Sequence, residues 1–476
     1  MKLNIEPRTI FCKDNLDILK GINSDCIDLI YLDPPFNKNK IFSAPLGTSA
    51  EGAEFSDIFR EEDIKDEWVT GIRFQNITLH GYLSSLKKFT NQYTYCYLVY
   101  LSIRLLECYR ILKNSGYIFL HCDSTMSHYL KVALDCIFDE KNFRNEIIWQ
   151  RNDARGKGSQ FKAKKFGSNT DTILFYGKTN KPSINVHQEV SLADPEIREK
   201  FHKTDERGEL YYTGIPIFSS KSMGPRPNLC YEWKGFKNPH PSGWRLSKDR
   251  LNEEFEKGNV VITKKGKLER RKYLKDYLGK PYDNNWNNIS PVKGNESTGY
   301  PTQKPVELLR RIIKSTTKKG DVVLDPFCGC ATTCIAAEEL ERDWIGIDVS
   351  VKAYDLVRER LKKTVLPLFK GDPIFRTDIP TLSSDSLQST KGFVYVMSNR
   401  VHKDMYKVGI TKDVKRRLST YQTSDPHRGF KIEFQIESPK YEEIEAKIIK
   451  KFNGDHEWIK GDLDNIISEI KKEAKN

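Results

Sequence analysis

The chain has 476 residues, of which 38% are hydrophobic and 30% charged, proportions that indicate a globular protein with more than one domain. No apolar run approaches the ~20 residues of a membrane span, and residues 1–8 lack the apolar core of a secretory signal. The ten cysteines are scattered without a repeating framework, as is typical of a reducing compartment. We therefore expect a cytoplasmic protein without a membrane span.

The net charge of +13 is concentrated in the middle of the chain. Residues 151–300 contain 29 Lys and Arg against 18 Asp and Glu, an excess of 11. A local excess of this size is what a surface that binds a polyanion requires. A solvated basic surface without a ligand is the alternative if nothing else indicates nucleic acid.

An apolar run early in the chain ends on a carboxylate that two prolines follow. Residues 29–32 are continuously apolar, which predicts a strand buried on both faces of a parallel sheet. Pro34 and Pro35 fix φ and lack N–H groups, so the strand must end there. Asp33 is thereby predicted at the carboxyl end of a strand, where open α/β sheets bind ligands. Phe36 adds a flat apolar ring beside this carboxylate.

Strands and helices alternate as far as residue 180. Residues 39–62 are polar and predict a mobile loop, which at this length is usually functional or disordered. Apolar residues of 93–113 recur at intervals of three and four, which predicts a helix that residues 114–116 end. The further predicted elements are strands at 117–120, 146–150 and 172–176 and a helix at 126–138. This alternation indicates an α/β sheet.

The segment from 181 to 299 has weaker periodicity, with Pro and Gly breaks and basic runs at 264–267 and 270–272. Trp233, Trp244 and Trp286 lie in this segment. Basic residues with exposed aromatic rings suit contact with phosphates and unstacked bases. The tryptophans taken alone are more typical of a core.

A second ligand-binding pattern follows. Residues 322–325 predict a strand, residues 326–333 a loop that enters a helix, and the next strand ends on Asp348, 19 residues beyond Gly329. This layout is typical of a nucleoside-bearing cofactor, because the loop backbone approaches the ligand and the acid binds ribose hydroxyls. The loop has one glycine where a pyrophosphate site has three, which favours S-adenosylmethionine. The cysteines of the loop and helix suit buried small residues better than zinc ligands.

A linker and a small module end the chain. Residues 367–390 are rich in Pro, Asp, Ser and Thr and predict the linker. Residues 391–476 predict strands at 393–397, 406–410 and 431–436, a basic helix that includes 415–417, and a helix at 442–452. This length is sufficient for an independent domain.

Residues 1 to about 366 resemble the amino-DNA methyltransferases, which methylate adenine N6 or cytosine N4. The motif Asp33-Pro34-Pro35-Phe36 comes first and the loop 327–330 last, an order similar to the β class. The phrases at 128–131, 145–149 and 302–305 resemble those of type III modification subunits and related adenine methyltransferases. The resemblance implies a Rossmann-like α/β sheet that binds S-adenosylmethionine. It divides the chain into a catalytic part (1–182), an inserted target-recognition region (183–298) and a cofactor-binding part (299–366).

The resemblance implies a role for each motif residue. An exocyclic amine is a poor nucleophile because its lone pair is conjugated into the ring. Asp33 and the carbonyl of Pro34 would each accept a hydrogen bond from the amine, which frees the lone pair for in-line attack on the methyl group. Phe36 would stack on a base flipped out of the duplex, and Pro35 completes the stiff turn.

The implied cofactor site has six residues. Asp348 would bind the ribose hydroxyls, Phe327 and Gly329 would line the pocket, and Asp325 would end the strand beneath them. Lys304 is expected near the methionine end and Asp14 near the adenosyl group. Cys330 and Ala331 stand where Ser and Gly are common, and Ala331 is small enough to leave cofactor binding intact.

The C-terminal module resembles the GIY-YIG nuclease superfamily over roughly 391–460. The matching residues are Tyr395, Gly409, Arg417 and Glu445, and 456–458 resembles a further signature of one branch. Arg417 would stabilise charge on the phosphate, and Glu445 would hold Mg²⁺ against it. Lys407 replaces the usual second tyrosine, which leaves a DNA-binding module without cleavage as an alternative.

We therefore expect a site-specific methyltransferase of double-stranded DNA, with adenine N6 favoured over cytosine N4 and a homodimer compatible with the sequence. The fused module makes it either a single-chain restriction–modification enzyme or a methyltransferase with an accessory DNA-binding module. Two alternatives are an endonuclease whose methyltransferase part mainly recognises sites and a non-catalytic DNA-binding protein. Asp33 and Asp348 argue against both.

Overall fold

The computed structural model describes residues 1–151, 168–180, 182–363, 371–389, 392–455 and 457–475. The chain divides into two compact units, one formed by residues 1–185 and 284–476 and the other by 186–283. None of the helices in the described ranges combines the length and the apolar character that crossing a bilayer requires.

The elements alternate along the chain. Before residue 186 they are β1 (Thr9–Cys12), α1 (Asn15–Gly21), β2 (Ile27–Leu32), β3 (Lys40–Ser43), β4 (Glu54–Asp57), α2 (Asp66–Gln75), α3 (Ile77–Leu86), α4 (Gln92–Ile111), β5 (Leu112–Cys122), α5 (Ser127–Phe138), β6 (Phe143–Gln150) and β7 (Thr170–Gly177). The second unit contains α6 (Pro195–Lys200), β8 (Lys203–Thr204), β9 (Leu210–Tyr212), β10 (Glu232–Trp233), β11 (Phe236–Lys237), α7 (Lys248–Glu256), β12 (Val260–Ile262), β13 (Leu268–Arg270) and β14 (Lys272–Tyr273).

The first unit resumes after this insertion. Its further elements are β15 (Asn285–Trp286), α8 (Val306–Thr316), β16 (Val322–Asp325), α9 (Thr332–Glu339), β17 (Asp343–Asp348), α10 (Val351–Lys363), β18 (Ile374–Arg376) and α11 (Ser384–Ser389). The C-terminal module contains β19 (Gly392–Asn399), β20 (Met405–Thr411), α12 (Val414–Ser424), β21 (Phe430–Ser438), α13 (Tyr441–Lys451), β22 (Trp458–Lys460) and α14 (Leu463–Lys475).

Within the part of the chain that the structure describes, nine strands form one sheet in the order β15–β6–β7–β5–β2–β16–β17–β1–β18. Neighbouring strands are parallel except at β7, which is antiparallel to β5 and β6. Alternate residues of β2 enter two different cores. Leu29 and Tyr31 pack with residues of α8, α9 and α10, and Ile30 and Leu32 pack with residues of α1 to α5. Helices therefore cover both faces, and the predicted α/β sheet is confirmed.

Two predictions before residue 120 are wrong. Residues 114–116 do not separate a helix from a strand, because α4 ends at Ile111 and β5 begins at Leu112. An ion pair of Lys113 explains why β5 begins so early. Its Nζ lies 2.7 Å from Oδ2 of Asp28 in β2, so the start of β5 is held against β2 in the sheet. Residues 39–62 also contain an ordered hairpin of β3 and β4, which stacked rings of Phe42 and Phe55 stabilise across the strands.

Part of the predicted linker belongs to the sheet. Strand β18 pairs in parallel with β1, and the ring of Phe375 packs 4.9 Å from that of Tyr354 in α10. The side chain of Ser386 accepts a hydrogen bond from the N–H of Ser24. Composition indicated a linker because Pro, Asp and Ser dominate around this short strand. Residues 367–370 and 390 lie outside the described residues.

The second unit lies within the predicted target-recognition region. Strands β14, β9 and β8 form one small sheet, and two hairpins pair β10 with β11 and β12 with β13. Trp233 and Trp244 are buried in its core with Leu251 and Val260. Trp286 is buried in the first unit, where β15 pairs with β6. The interpretation of these tryptophans as core residues is confirmed, because all three are inaccessible to an unstacked base.

The C-terminal module has a four-stranded antiparallel sheet in the order β21–β19–β20–β22. Its core joins the sheet to α13 and α14 through buried Val and Ile residues such as Val394, Ile444 and Ile466. The predicted order of two strands, helix, strand and helix is found, and β22 and α14 extend it.

Removing the central indole of the second unit should destabilise that unit. Trp244 is fully buried, its ring stacks 5.3 Å from Tyr231, and its Nε1–H donates to the Tyr231 carbonyl at 2.7 Å. We expect Trp244→Ala to lower the free energy of unfolding by about 3–5 kcal/mol, measured by urea denaturation. Leu278→Ala, at a 70% exposed residue of the same unit, is the control and should change it by less than about 0.5 kcal/mol. A small effect of Trp244→Ala would contradict a core role.

Candidate active site

Four adjacent parallel strands end at the same edge of the large sheet. Asp33 follows β2, Asp325 ends β16, Asp348 ends β17, and Asp14 lies two residues beyond β1. All four carboxylates line one cavity of about 900 Å³. The carboxyl edge of a parallel sheet is where α/β proteins bind ligands, and this volume suits a small-molecule site.

The same cavity is lined by the ten residues that the sequence predicted for catalysis and cofactor binding. These are Asp14, Asp33, Pro34, Pro35, Phe36, Lys304, Asp325, Phe327, Gly329 and Asp348. The structure thus brings the early motif and the late loop together, although almost 300 residues of chain separate them.

Asp33 has one bound and one available oxygen. The Nζ of Lys304 lies 2.5 Å from Oδ2 of Asp33, and both side chains are largely buried. Oδ1 is also buried, and no hydrogen-bond partner for it is found among the described residues. A buried acceptor without a partner is costly, so this oxygen is a suitable place for a ligand donor. We predicted Lys304 near the methionine end of the cofactor, and the structure places its ammonium group on the motif carboxylate.

Phe36 rests on a buried histidine that the sequence did not single out. The rings of Phe36 and His121 are stacked, with centroids 5.9 Å apart and planes 19° apart. Nδ1 of His121 is 2.9 Å from the hydroxyl of Tyr31, and Nε2 is 3.1 Å from Oδ2 of Asp171. The ammonium of Lys304 lies 5.3 Å from the Phe36 centroid. Tyr31 lies in the predicted strand at 29–32, but His121 and Asp171 lie one residue outside the predicted strands at 117–120 and 172–176, so no sequence pattern indicated this network.

The cofactor loop closes against Asp348. Gly329 has a φ of 51°, and its N–H donates to Oδ2 of Asp348 at 2.9 Å. A Cβ at Gly329 would lie 3.0 Å from the ring of Tyr300, so the loop can approach that ring only without a side chain. Burial raises the pKa of Asp348, and hydrogen bonds from the N–H groups of Ser350 and Gly329 oppose this rise.

Asp325 anchors the loop from below. Its Oδ2 accepts the hydroxyl of Thr333 at 2.5 Å, and its Oδ1 accepts the N–H of Phe327 at 3.0 Å. Burial raises its pKa to about 7. Both oxygens accept hydrogen bonds from the protein. Asp325 therefore fixes the start of the loop and the first turn of α9.

Asp14 is fixed at the end of the cavity where we predicted the adenosyl group to bind. Its Oδ1 accepts the N–H of Leu16 and caps α1, and its Oδ2 lies 2.8 Å from Nη2 of the buried Arg104. Asp14 and Asp33 are paired with Arg104 and Lys304, whereas no ion pair of Asp348 is found among the described residues. The Asp348 carboxylate can accept hydrogen bonds from ribose hydroxyls and would repel a nearby pyrophosphate, so the residues present fit S-adenosylmethionine.

Cys328, Cys330 and Cys334 are free and buried beside the loop. Burial raises the pKa of each thiol. Within the described ranges, no group of three or more His, Cys, Asp and Glu side chains is placed to hold a metal ion. The interpretation as buried small residues fits these observations.

The C-terminal module contains a second polar cluster. The hydroxyl of Tyr395 lies 3.0 Å from the hydroxyl of Tyr421 and 3.0 Å from Nε of Arg417. Tyr395 is paired with Gly409 across β19 and β20. A Cβ at Gly409 would clash with that hydroxyl at 2.4 Å, so the glycine makes room for the tyrosine. Tyr395, Gly409 and Arg417 are thus brought together as predicted.

Glu457 joins this cluster to α2. Its carboxylate accepts the hydroxyl of Tyr421 at 2.7 Å and pairs with Lys407 and Arg417 at 3.2 and 3.1 Å. Arg73 of α2 reaches the same carboxylate at 2.7 Å. The sequence had pointed to Glu457 only through a branch signature, whose first residue, 456, lies outside the described residues.

Glu445 is a residue of α13 and lies near the cluster. Burial and then the charge of Glu457 raise its pKa to about 7, which Arg417 and Arg73 oppose. Among the described residues we find no hydrogen-bond donor to its carboxyl group. A carboxyl group held in this way can serve as a ligand for a single cation.

Comparison with known protein families identifies the class. Residues 27–359 match the DNA methylase model of the N6/N4 type, which is more than half of the chain. The chain therefore belongs to this family of S-adenosylmethionine-dependent DNA methyltransferases. Residues 392–473 match the model of the T5orf172 domain, a nuclease-like domain.

Two curated relatives are a type II methyltransferase and a subunit of a type III restriction-modification enzyme. The type II methyltransferase M.EcaI of Enterobacter cloacae is 30% identical over 327 residues, which cover 67% of this chain and 69% of the relative. The Mod subunit of the type III restriction-modification enzyme StyLTI of Salmonella typhimurium is 26% identical over 351 residues. That match covers 69% of this chain and 49% of the relative, so the chain spans about half the length of the Mod subunit.

Solved structures are similar to the chain at low identity. The DNA modification methylase TTHA0409 of Thermus thermophilus is 16% identical with a TM-score of 0.35, and the match covers 78% of this chain and 98% of that one. The M1.HpyAVI complex with S-adenosylmethionine is 15% identical with a TM-score of 0.34, covering 74% of this chain and 98% of that one.

The raised pKa of Asp325 predicts a pH-dependent stability. Its ordinary value is 3.8 and its value in the fold is about 7. Its contribution is therefore fully present below about pH 4 and is lost as pH rises through 7, by up to ~1.4 kcal/mol per pH unit. We expect Asp325→Asn to remove this part of the slope, measured by urea denaturation between pH 5 and 8. Asp321→Asn, before the same strand, is the control and should keep the wild-type slope; equal slopes in all three proteins would contradict the burial argument.

Proposed function

We propose that the chain methylates adenine N6 at a specific site in double-stranded DNA. The observation that carries this proposal is the buried Oδ1 of Asp33, which has no described partner although its residue lines the cavity. Lys304 holds the other oxygen, so the carboxylate cannot rotate away from an incoming amine. The three phrases at 128–131, 145–149 and 302–305, which resemble those of type III modification subunits and related adenine methyltransferases, support adenine over cytosine.

Each residue of the motif has a different role in binding the flipped base. Phe36, which packs on His121, would stack on the flipped base. Asp33 Oδ1 and the Pro34 carbonyl accept the two N–H bonds of the amine, which favours a pyramidal nitrogen with its lone pair directed into the cavity. Bound S-adenosylmethionine supplies the methyl group. Asp348, Asp14, Phe327 and Gly329 orient it from the strand ends.

The unit formed by 186–283 is proposed to read the recognition sequence. The basic excess of the middle of the chain supports contact with the DNA backbone. Its tryptophans are core residues, so base contacts must come from its polar and basic side chains instead.

We further propose that the C-terminal module is a GIY-YIG-type nuclease, which would combine restriction and modification in one chain. The cluster of Tyr395, Arg417 and Glu457 with Glu445 nearby supports this second activity. Arg417 would stabilise charge on the scissile phosphate. Glu445 is the residue that would hold Mg²⁺, which polarises the phosphate when bound.

The modified base tests the first activity. Wild type incubated with labelled S-adenosylmethionine and duplex DNA, followed by digestion to nucleosides, should yield N6-methyladenine. Asp33→Ala should lower the rate on the order of 10²–10³-fold because the acceptor for the amine is lost. Asp17→Ala, an exposed carboxylate of α1 outside the cavity, should match wild type. If the product is N4-methylcytosine, the assignment of adenine as the target base is wrong. If Asp33→Ala keeps the wild-type rate, the assignment of Asp33 to the active site is wrong.

Cleavage of unmethylated duplex DNA with Mg²⁺ tests the second activity. We expect nicking that Glu445→Ala abolishes, because the proposed cation ligand is lost. Glu443→Ala removes an exposed carboxylate from the same helix and should cleave like wild type. Nicking that persists in Glu445→Ala would show that the assigned ligand is wrong, and no cleavage by wild type would leave the module a DNA-binding domain.

A further inference from the structure

The backbone just after the motif converges on one carboxylate of the β3–β4 hairpin. The N–H groups of Phe36, Asn37 and Lys38 lie 3.2, 2.6 and 2.9 Å from the carboxylate oxygens of Asp57. The N–H of Asn39 donates to the Asp57 carbonyl at 3.0 Å. Four successive backbone donors are therefore satisfied by one residue.

The local conformation explains why a carboxylate is required. Asn37 and Asn39 have φ values of 59° and 54°, a left-handed geometry that asparagine tolerates and that turns successive N–H groups toward one point. Such a concave set of donors binds an anion, and Asp57 is 1% exposed. Burial raises the pKa of Asp57 while the hydrogen bonds from Lys38, Asn37 and Phe36 oppose the rise.

The hairpin is itself fixed at the cofactor side. Phe55 of β4 stacks 6.2 Å from Tyr300, whose ring also contacts the position of Gly329. The N–H of Ala50 donates to the carbonyl of Thr298 at 2.9 Å. Asp57 thus connects a wall of the cofactor loop to the backbone that carries the base-stacking ring.

We propose that Asp57 is a positioning residue for methyl transfer, which holds the 36–38 backbone so that Phe36 and the preceding acceptors meet the base in reactive geometry. His121 fixes the ring of Phe36 from beneath, and Lys38 pairs with Asp123, but among the residues that the structure describes only Asp57 binds the backbone of all three residues. Misplacement of a reacting group by about 1 Å costs on the order of 10²-fold in rate. The proposal rests on the methyltransferase activity of the chain and not on the identity of the base.

The test separates rate from cofactor binding. Asp57→Asn offers one acceptor oxygen where two are used, and its amide group faces an N–H donor. We expect kcat to fall on the order of 10–100-fold, while the dissociation constant for S-adenosylmethionine, measured by calorimetry, stays within about twofold of wild type. Asp57→Glu keeps the carboxylate and should recover part of the lost kcat.

The control is Glu51→Gln in the same hairpin loop. Glu51 is exposed, accepts a single N–H from Gly47 at 2.8 Å, and lies outside the cavity. It should keep wild-type kcat. A purely structural role for Asp57 predicts that kcat, cofactor affinity and the thermal midpoint fall together in Asp57→Asn, with no recovery in Asp57→Glu. That pattern, or an unchanged kcat in Asp57→Asn, would overturn the proposal. If Asp57→Asn does not fold, the same comparison on Asp57→Glu decides, because a kcat loss with unchanged cofactor affinity is again expected.

Discussion

The ion pair between Lys304 and Asp33 is the interaction on which the proposed chemistry depends. Its two residues are separated by 271 positions in the chain, and they meet because β2 and the segment before α8 converge at the same edge of the sheet. The pair occupies one oxygen of the carboxylate and leaves the other buried without a described partner. A carboxylate oriented in this way is preorganised, so little reorganisation is needed when an amine arrives.

Further contacts around this ion pair hold the residues of the motif in place. His121 lies beneath Phe36, Tyr31 and Asp171 fix the histidine, and Asp57 binds the backbone of the turn. These residues come from β2, β5, β7 and β4. The rigidity of the motif is therefore a property of the sheet and hairpin together, and the two prolines supply only part of it.

The sheet and the strand-end carboxylates could be predicted because they depend on local patterns. A buried parallel strand is a continuous apolar run, and its end is marked by Asp33 and Pro34 or by Asp348. The Lys304 pair and the Asp57 hairpin could not be predicted, because they depend on contacts between distant segments. The hairpin was mistaken for a mobile loop because its stabilising pair, Phe42 and Phe55, is spread over a polar stretch.

In the C-terminal module, too, local patterns could be predicted from the sequence, whereas contacts between distant segments could not. The succession of its first three strands and first two helices along the chain could be predicted from the sequence, and Gly409 is explained by the tyrosine hydroxyl that needs its space. The contribution of Arg73 could not be anticipated, since it comes from a helix of the methyltransferase part more than 300 residues earlier. Phe74 likewise stacks 4.5 Å from Tyr441, so α2 contacts the module through both an ion pair and an aromatic pair.

The central claim is that the free oxygen of Asp33 receives the exocyclic amine. A crystal structure of the chain with sinefungin and a duplex that contains its target site tests this most directly. We expect a flipped base stacked on Phe36, with its amine within hydrogen-bonding distance of Asp33 Oδ1 and the Pro34 carbonyl, and Lys304 still on Oδ2. A flipped base whose amine contacts neither acceptor, or a Lys304 that has replaced the base at Oδ1, would contradict it.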